Sequence, residues 1–204
     1  MDWSFVIRHL ISGSIPVLSA LALYFLILRS MGKKQTAAHI ILSFVFCFYL
    51  VGILSLTGIC FRGSFSPGII WMPFAYMISG MTDRILNIFL FIPMGFFLPL
   101  LYAEFDGTGR TVTAGFLVSL SIETAQMFGT GTTDVNDLIT NTAGAWIGYL
   151  IYKMMYQSIL KSWTGETRAQ GISGFLELPL FWAGSMGIML TIQTAVFHAL
   201  FAHI

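Results

Sequence analysis

The chain has 204 residues, of which 56% are hydrophobic and 9% charged, and its mean hydropathy is +0.82. Soluble domains carry about 25% charged residues, so this composition excludes an ordinary soluble protein and predicts an all-α membrane protein. The formal net charge of +1 gives no indication of a nucleic-acid partner.

Six segments are apolar and long enough to cross a membrane as helices. About 20 residues span the roughly 30 Å of hydrocarbon, and a helix satisfies its own backbone groups there. The approximate segments are 12–30, 38–60, 85–103, 111–128, 138–156 and 175–200. Because basic residues follow the first segment and it lacks a small-residue cleavage site, we interpret it as a retained span and not as a signal peptide. No internal repeat divides the chain, so we expect a single membrane domain over residues 1–204.

Residues 63–82 are also uncharged, but they contain Pro67, Gly68, Pro73 and Gly80. Proline and glycine at this density interrupt a helix. We therefore expect an interfacial or re-entrant segment between the second and third spans, and not a seventh span.

The basic residues favour an orientation with both termini outside. Cytoplasmic loops of membrane proteins are enriched in Lys and Arg. Six spans with an outer N-terminus place seven of the 10 basic residues inside and three outside, whereas a seventh span gives at best six against four. The inner set is Arg29, Lys33, Lys34, Arg110, Lys153, Lys161 and Arg168, and the outer set is Arg8, Arg62 and Arg84.

In this orientation, polar residues from three consecutive helices meet just below the outer interface. Polar groups beside hydrocarbon are costly, so such a cluster indicates a site. The candidate ligand-binding residues are Arg84 and Asn87 of the third span, Glu123 and Gln126 of the fourth, and Asp134, Asp137 and Asn141 of the fifth. Of these, Glu123 and Asp137 are the candidates for acid–base chemistry.

Several of these residues also have a structural interpretation. Asp134 is a candidate helix N-cap, with Asp137 in the first turn near the positive helix end. Asn141 is a candidate for a hydrogen bond between helices. Glu123 is hardest to explain in this way, because an ionised carboxylate inside a span is costly unless it is paired. We expect either an ion pair with Arg84 or a protonated Glu123 that is hydrogen-bonded to Asn87 or Asn141.

Three further features carry expectations about packing and metals. Gly144 and Gly148 form a GxxxG pattern, which predicts close approach of a neighbouring helix. Pro93 and Gly95 predict a kink in the third span that opens a pocket. His39 is expected at the inner interface, and no HExxH or CxxC spacing indicates a metal site. The sequence does not identify a cofactor.

The polar and glycine positions together resemble the VanZ family, over about residues 70–152. The pattern is Asn87-x5-Pro93-x-Gly95, Ser121-x-Glu123-x2-Gln126 and Asp134-x2-Asp137-x3-Asn141-Thr142-x-Gly144-x3-Gly148. The resemblance implies a multi-pass protein of the bacterial plasma membrane, of the kind associated with low-level resistance to teicoplanin and related lipoglycopeptides. It implies no reaction. Many family members carry a basic residue just before the first Asp, but residues 129–133 contain none here, and Arg84 is the expected substitute.

Three functions are compatible with this pattern. The first is a membrane factor whose outward-facing polar pocket engages an amphiphile: a membrane lipid, a lipid-linked cell-wall precursor or a lipoglycopeptide antibiotic. The second is an intramembrane acid–base enzyme that acts on a lipid-linked substrate. The third is a small transporter or a structural partner of another membrane protein.

The orientation is directly testable at the loop of residues 129–133. A single cysteine placed there, in a chain whose Cys47 and Cys60 are replaced by serine, is expected to react with a membrane-impermeant maleimide added to intact cells. The reason is that the loop joins the outer ends of the fourth and fifth spans. Labelling only after the membrane has been permeabilised would contradict the orientation.

Overall fold

The computed structural model describes residues 3–57, 68–70, 72, 80–128 and 132–201, and it confirms the all-α class. The helices are α1 (Trp3–Ser30), α2 (Ala37–Leu56), α3 (Met81–Leu101), α4 (Thr108–Gln126), α5 (Val135–Ser158), α6 (Thr164–Thr167) and α7 (Gly174–Phe201). The two short strands are β1 (Gly68–Ile70) and β2 (Thr132–Asp134).

Four helices among the described residues are long and apolar enough to cross a membrane, namely α1, α2, α3 and α7. The other two segments predicted as spans are helices of 19 and 24 residues, α4 and α5. They are long enough, but they contain most of the polar residues of the predicted cluster, which lowers their hydropathy. The count of six spans therefore stays a prediction. The predicted interfacial segment lies largely outside the described residues.

The helices fall into two compact units, one of residues Met1–Cys60 with Ala169–Ile204 and one of Phe61–Arg168. In the first unit, α1, α2 and α7 pack against one another. The buried face of α2 includes four fully buried residues, Phe46, Leu50, Ile53 and Leu54. Leucine and isoleucine make good helix-packing surfaces because their rotamers are well defined.

In the second unit, glycines bring the backbones of α3 and α5 together. A Cβ on Gly144 would meet the carbonyl oxygen of Ile88, and one on Gly148 would meet that of Ile92. From the other side, a Cβ on Gly95 would meet the carbonyl oxygen of Ala145. The GxxxG prediction is confirmed, with α3 as the close neighbour. The prediction of a pocket beside Gly95 is wrong, because backbone atoms of α5 fill the space next to this residue.

A strand pair holds the beginning of α5. The strands β1 and β2 run parallel, with Gly68 opposite Thr132 and Ile70 opposite Asp134. No strand is predicted here from sequence, since three residues are too few to show an alternating pattern. The pair ties Asp134, the residue before α5, to the segment that precedes α3.

Side chains from the segment after α5 cap the last turn of α3. The Arg168 guanidinium donates to the carbonyl oxygen of Pro99 at 3.2 Å, and the Thr167 hydroxyl donates to that of Leu100 at 2.9 Å. Arg168 is itself held by Asp106, with 3.0 Å between Nη2 and Oδ2, and by the Tyr152 hydroxyl at 3.0 Å. These bonds satisfy carbonyls that the end of a helix otherwise leaves without partners.

The glycine contact gives a prediction for stability. Gly148→Ala is expected to lower the free energy of unfolding of the purified protein in detergent by about 1–3 kcal/mol, the usual range for overpacking. Gly109→Ala is the matched control, because a Cβ there meets nothing within 4 Å and alanine favours a helix. Equal stability of the Gly148 variant and the wild type would contradict the close approach of α3 and α5.

Candidate functional site

The site is built around Asp134, the N-cap of α5. Its Oδ1 accepts a hydrogen bond from the backbone N–H of Asn136 at 2.8 Å and another from the Asn136 side chain at 2.7 Å. The predicted cap is therefore confirmed, and Asp137 lies in the first turn as expected. Both carboxyls lie at the positive end of the helix dipole, where negative charge is stabilised.

Arg84, in the first turn of α3, reaches Asp134 from the neighbouring helix. Its Nη2 lies 3.4 Å from Oδ2 of Asp134, and the two side chains are only 11% and 14% exposed. The expected ion pair between Arg84 and Asp134 is thus confirmed. The pair joins the beginnings of α3 and α5.

Glu123 accepts a hydrogen bond from a backbone N–H, and not from the side chains that the sequence predicts as its partners. Its Oε2 accepts a hydrogen bond from the backbone N–H of Asp134 at 3.0 Å, and the residue is only 4% exposed. Its carbonyl oxygen accepts from the Thr133 hydroxyl at 3.0 Å. The prediction of an ion pair between Glu123 and Arg84 is wrong, because the Arg84 guanidinium pairs with Asp134 instead. The alternative of a bond to Asn87 or Asn141 is also wrong, because the short link between α4 and α5 brings β2 against the end of α4.

Asn136 belongs to this network, although it is not among the predicted site residues. It is 3% exposed, and its side-chain amide donates to Asp134 and, at 3.4 Å, to the carbonyl oxygen of Met72. The available signal was its place two residues after an N-cap aspartate.

One helical turn deeper, Asn141 of α5 donates to the Ser119 hydroxyl of α4 at 2.9 Å. Both residues are buried, with exposures of 3% and 0%. The interpretation of Asn141 as a link between helices is therefore confirmed. Its Oδ1 is buried too, and it accepts no hydrogen bond from any residue that the structure describes. A buried amide oxygen without a donor is costly, so a donor from a ligand or water would stabilise it.

Asp137 of α5 is hydrogen-bonded to Asn87 of α3. Burial, reinforced by the negative charge of Asp134, raises the pKa of Asp137 to about 6, although Arg84 and the bond to Asn87 act in the opposite direction. A carboxyl with this pKa exchanges its proton readily near neutral pH.

The bonds described above join α3, α4 and α5 through six of the seven predicted residues. The seventh, Gln126, is the last residue of α4 and is half-buried, one turn beyond Glu123. Within the described ranges, no group of three or more His, Cys, Asp or Glu could hold a metal ion. The role of these residues in binding a ligand stays a prediction.

A second buried polar cluster lies in the first unit. His39 Nε2 is 3.2 Å from Glu177 Oε2, with both side chains fully buried, and the Tyr24 hydroxyl donates to Glu177 Oε1 at 2.7 Å. His39 is thus buried against Glu177, near the start of α7, and its place at the inner interface stays a prediction. The pair of His39 and Glu177 could not be predicted from helical spacing, because the two residues lie on different helices and far apart in sequence.

A double-mutant cycle can separate the contribution of the Arg84–Asp134 ion pair to stability from that of the Asp134 helix cap. Asp134→Asn keeps an acceptor for Asn136 but removes the charge. We expect its coupling with Arg84→Met to be about 0.5–3 kcal/mol in the free energy of unfolding, as for residues in one salt-bridge network. Arg110→Met is the control partner, because Arg110 lies at the other end of α4 and should show no coupling with Asp134→Asn. Additive effects of Arg84→Met and Asp134→Asn would contradict the ion pair.

Comparison with known proteins agrees with the pattern of these residues. The family model described as VanZ/LLP1 matches residues 17–156, which include all of the predicted site residues and begin well before residue 70, where the resemblance seen in the sequence starts. No curated protein and no solved structure matches the chain. Because the match to the family model covers more than half of this chain, the chain belongs to the VanZ/LLP1 family.

Proposed function

We propose that this VanZ-like membrane protein binds an amphiphilic ligand at the polar network between α3, α4 and α5. The observation that supports the proposal is the buried Asn141 Oδ1, which accepts no hydrogen bond from the described residues, although the amide nitrogen of the same side chain donates to Ser119. A ligand with a hydroxyl or amide N–H would supply the missing donor.

The surroundings of the network favour a ligand with an apolar part. Leu86 and Phe89 flank Asn87 on α3 and are 56% and 64% exposed, and Ile139 lies two residues after Asp137 on α5 with 40% exposed. In a membrane, such side chains face lipid. A molecule that reaches the network from the bilayer would therefore place its polar head at the carboxyls and its chain against these residues.

The predicted orientation and the family suggest which amphiphile this is. The candidates are a membrane lipid, a lipid-linked cell-wall precursor and the acyl chain of a lipoglycopeptide. All are present at the outer leaflet when the antibiotic acts, and the site is predicted to face outward. Low-level teicoplanin resistance would follow if binding removed the antibiotic or its target from the outer surface.

An acid–base enzyme is the second candidate, and one observation favours it. The pKa of Asp137, raised to about 6 by burial and by Asp134, suits a group that gives and takes protons. Binding is preferred because no nucleophile motif accompanies the two carboxyls in the sequence. Chemistry would appear as an altered lipid in mass spectra of membranes incubated with the protein.

The proposal predicts which residues teicoplanin resistance needs. In a sensitive bacterial host, expression of the wild-type chain is expected to raise the teicoplanin concentration that inhibits growth. Glu123→Gln and Asp137→Asn, at equal expression, are expected to return it to the level of the host. The amides keep an oxygen that can accept the bonds from Asp134 and Asn87, but they remove the negative charge that a polar head would meet.

Glu104→Gln is the matched control for these variants. Glu104 is a half-buried carboxyl beyond the opposite end of α3 and outside the network, so its replacement should leave the inhibitory concentration of the wild type unchanged. Full resistance in both site variants would contradict the proposed role of the network. No effect of the wild-type chain on growth in teicoplanin would contradict the link to resistance.

A further inference from the structure

A cavity of about 220 Å³ lies at the turn between α1 and α2, in the first unit. Three of its six lining residues are basic and two are apolar. They are Phe25, Arg29, Lys33, Lys34, Gln35 and Ile40. This cavity is unrelated to the network around Asp134, which belongs to the second unit.

The turn that carries the basic residues has a defined conformation. Gly32 has φ +79°, the left-handed conformation that glycine adopts at helix ends. The backbone N–H of Lys33 donates to the carbonyl oxygen of Leu28 at 2.9 Å, which closes the turn back on α1. The next helix begins at once, with the Thr36 hydroxyl accepting from the backbone N–H of His39. The backbone that bears the three cations is therefore fixed before any ligand binds.

Gln35 fixes the turn from a second direction. Its side-chain amide donates to the carbonyl oxygen of Gln170 at 2.6 Å, and its oxygen accepts from the Gln170 backbone N–H at 2.8 Å. These two bonds tie the turn to the segment that precedes α7. Because such bonds hold both sides of an amide, the wall of the cavity keeps its shape.

The charge in the cavity is not neutralised by the protein. None of Arg29, Lys33 and Lys34 makes an ion pair with a carboxylate in the part of the chain that the structure describes. Arg84 and Arg168, by contrast, both do so. Three cations around one cavity favour an anion inside it, and a phosphate group can accept bonds from all of them.

We propose that this cavity binds the phosphate head group of an anionic phospholipid. The basic residues would hold the phosphate, and Phe25 and Ile40 would contact the glycerol and the first part of an acyl chain. Basic pockets at the ends of membrane helices suit such lipids, because the head group and the chain meet there. The predicted orientation places this turn on the cytoplasmic side, where Lys and Arg are already expected.

Lipid binding by the purified protein tests this proposal. The protein in detergent is titrated with dioleoylphosphatidylglycerol or with dioleoylphosphatidylcholine, and bound lipid is counted by native mass spectrometry. The wild type is expected to prefer the anionic lipid. Lys33→Gln combined with Lys34→Gln is expected to weaken binding of that lipid about 30-fold, on the scale of two basic residues near a charged surface.

The matched control combines Arg110→Gln with Lys161→Gln, which removes two exposed cations that do not line the cavity and should preserve the preference. Both double variants should elute as the wild type does in gel filtration. Equal binding of the two lipids by the wild type, or unchanged binding by the Lys33 and Lys34 variant, would overturn the proposal. Displacement of the lipid by an equal concentration of glycerol 3-phosphate would also overturn it, because the site would then recognise phosphate without lipid.

Discussion

The register of α3 against α5 is the constraint on which the polar site depends. The two helices run parallel, and Arg84 with Asp134, Asn87 with Asp137 and Gly95 with Ala145 are each 50 positions apart. The glycines let the backbones touch at one part of this interface, and the same register then sets the polar pairs at the other. A shift by one residue would separate both pairs and drive a side chain into a backbone carbonyl. Packing and site geometry are therefore one property of this helix pair.

The buried carboxyls are stabilised mainly by donors that lie close to them in the chain or in the neighbouring helix. Asp134 is bound by the first turn of its own helix and by Arg84, and Glu123 is bound by the backbone N–H of Asp134. Groups held in this way do not have to reorganise when a polar ligand approaches, which favours binding. Asn141 differs from them, because its amide nitrogen is bound while its oxygen accepts nothing from the described residues. The network thus leaves the Asn141 oxygen as an acceptor for a ligand.

Much of this arrangement follows from sequence, because helical spacing and span order are strong constraints. They predict the helices, the meeting of α3, α4 and α5 at Asn87, Glu123 and Asp137, and the close approach at Gly144 and Gly148. Contacts that depend on backbone groups are harder to predict. The donor to Glu123 is a main-chain N–H, which every residue offers, so nothing in the pattern singles it out. The pair of His39 and Glu177 was missed because both lie near ends of apolar segments, where polar residues normally meet water.

In the proposed function, a molecule from the membrane occupies the network between α3, α4 and α5. The most direct test is an experimental density map of the protein purified with its native lipids. Binding predicts elongated non-protein density that ends within hydrogen-bond distance of Asn141 Oδ1 and extends toward Leu86 and Phe89. A map in which only water or protein side chains surround Asn141, at a resolution that shows lipids elsewhere on the protein, would contradict it.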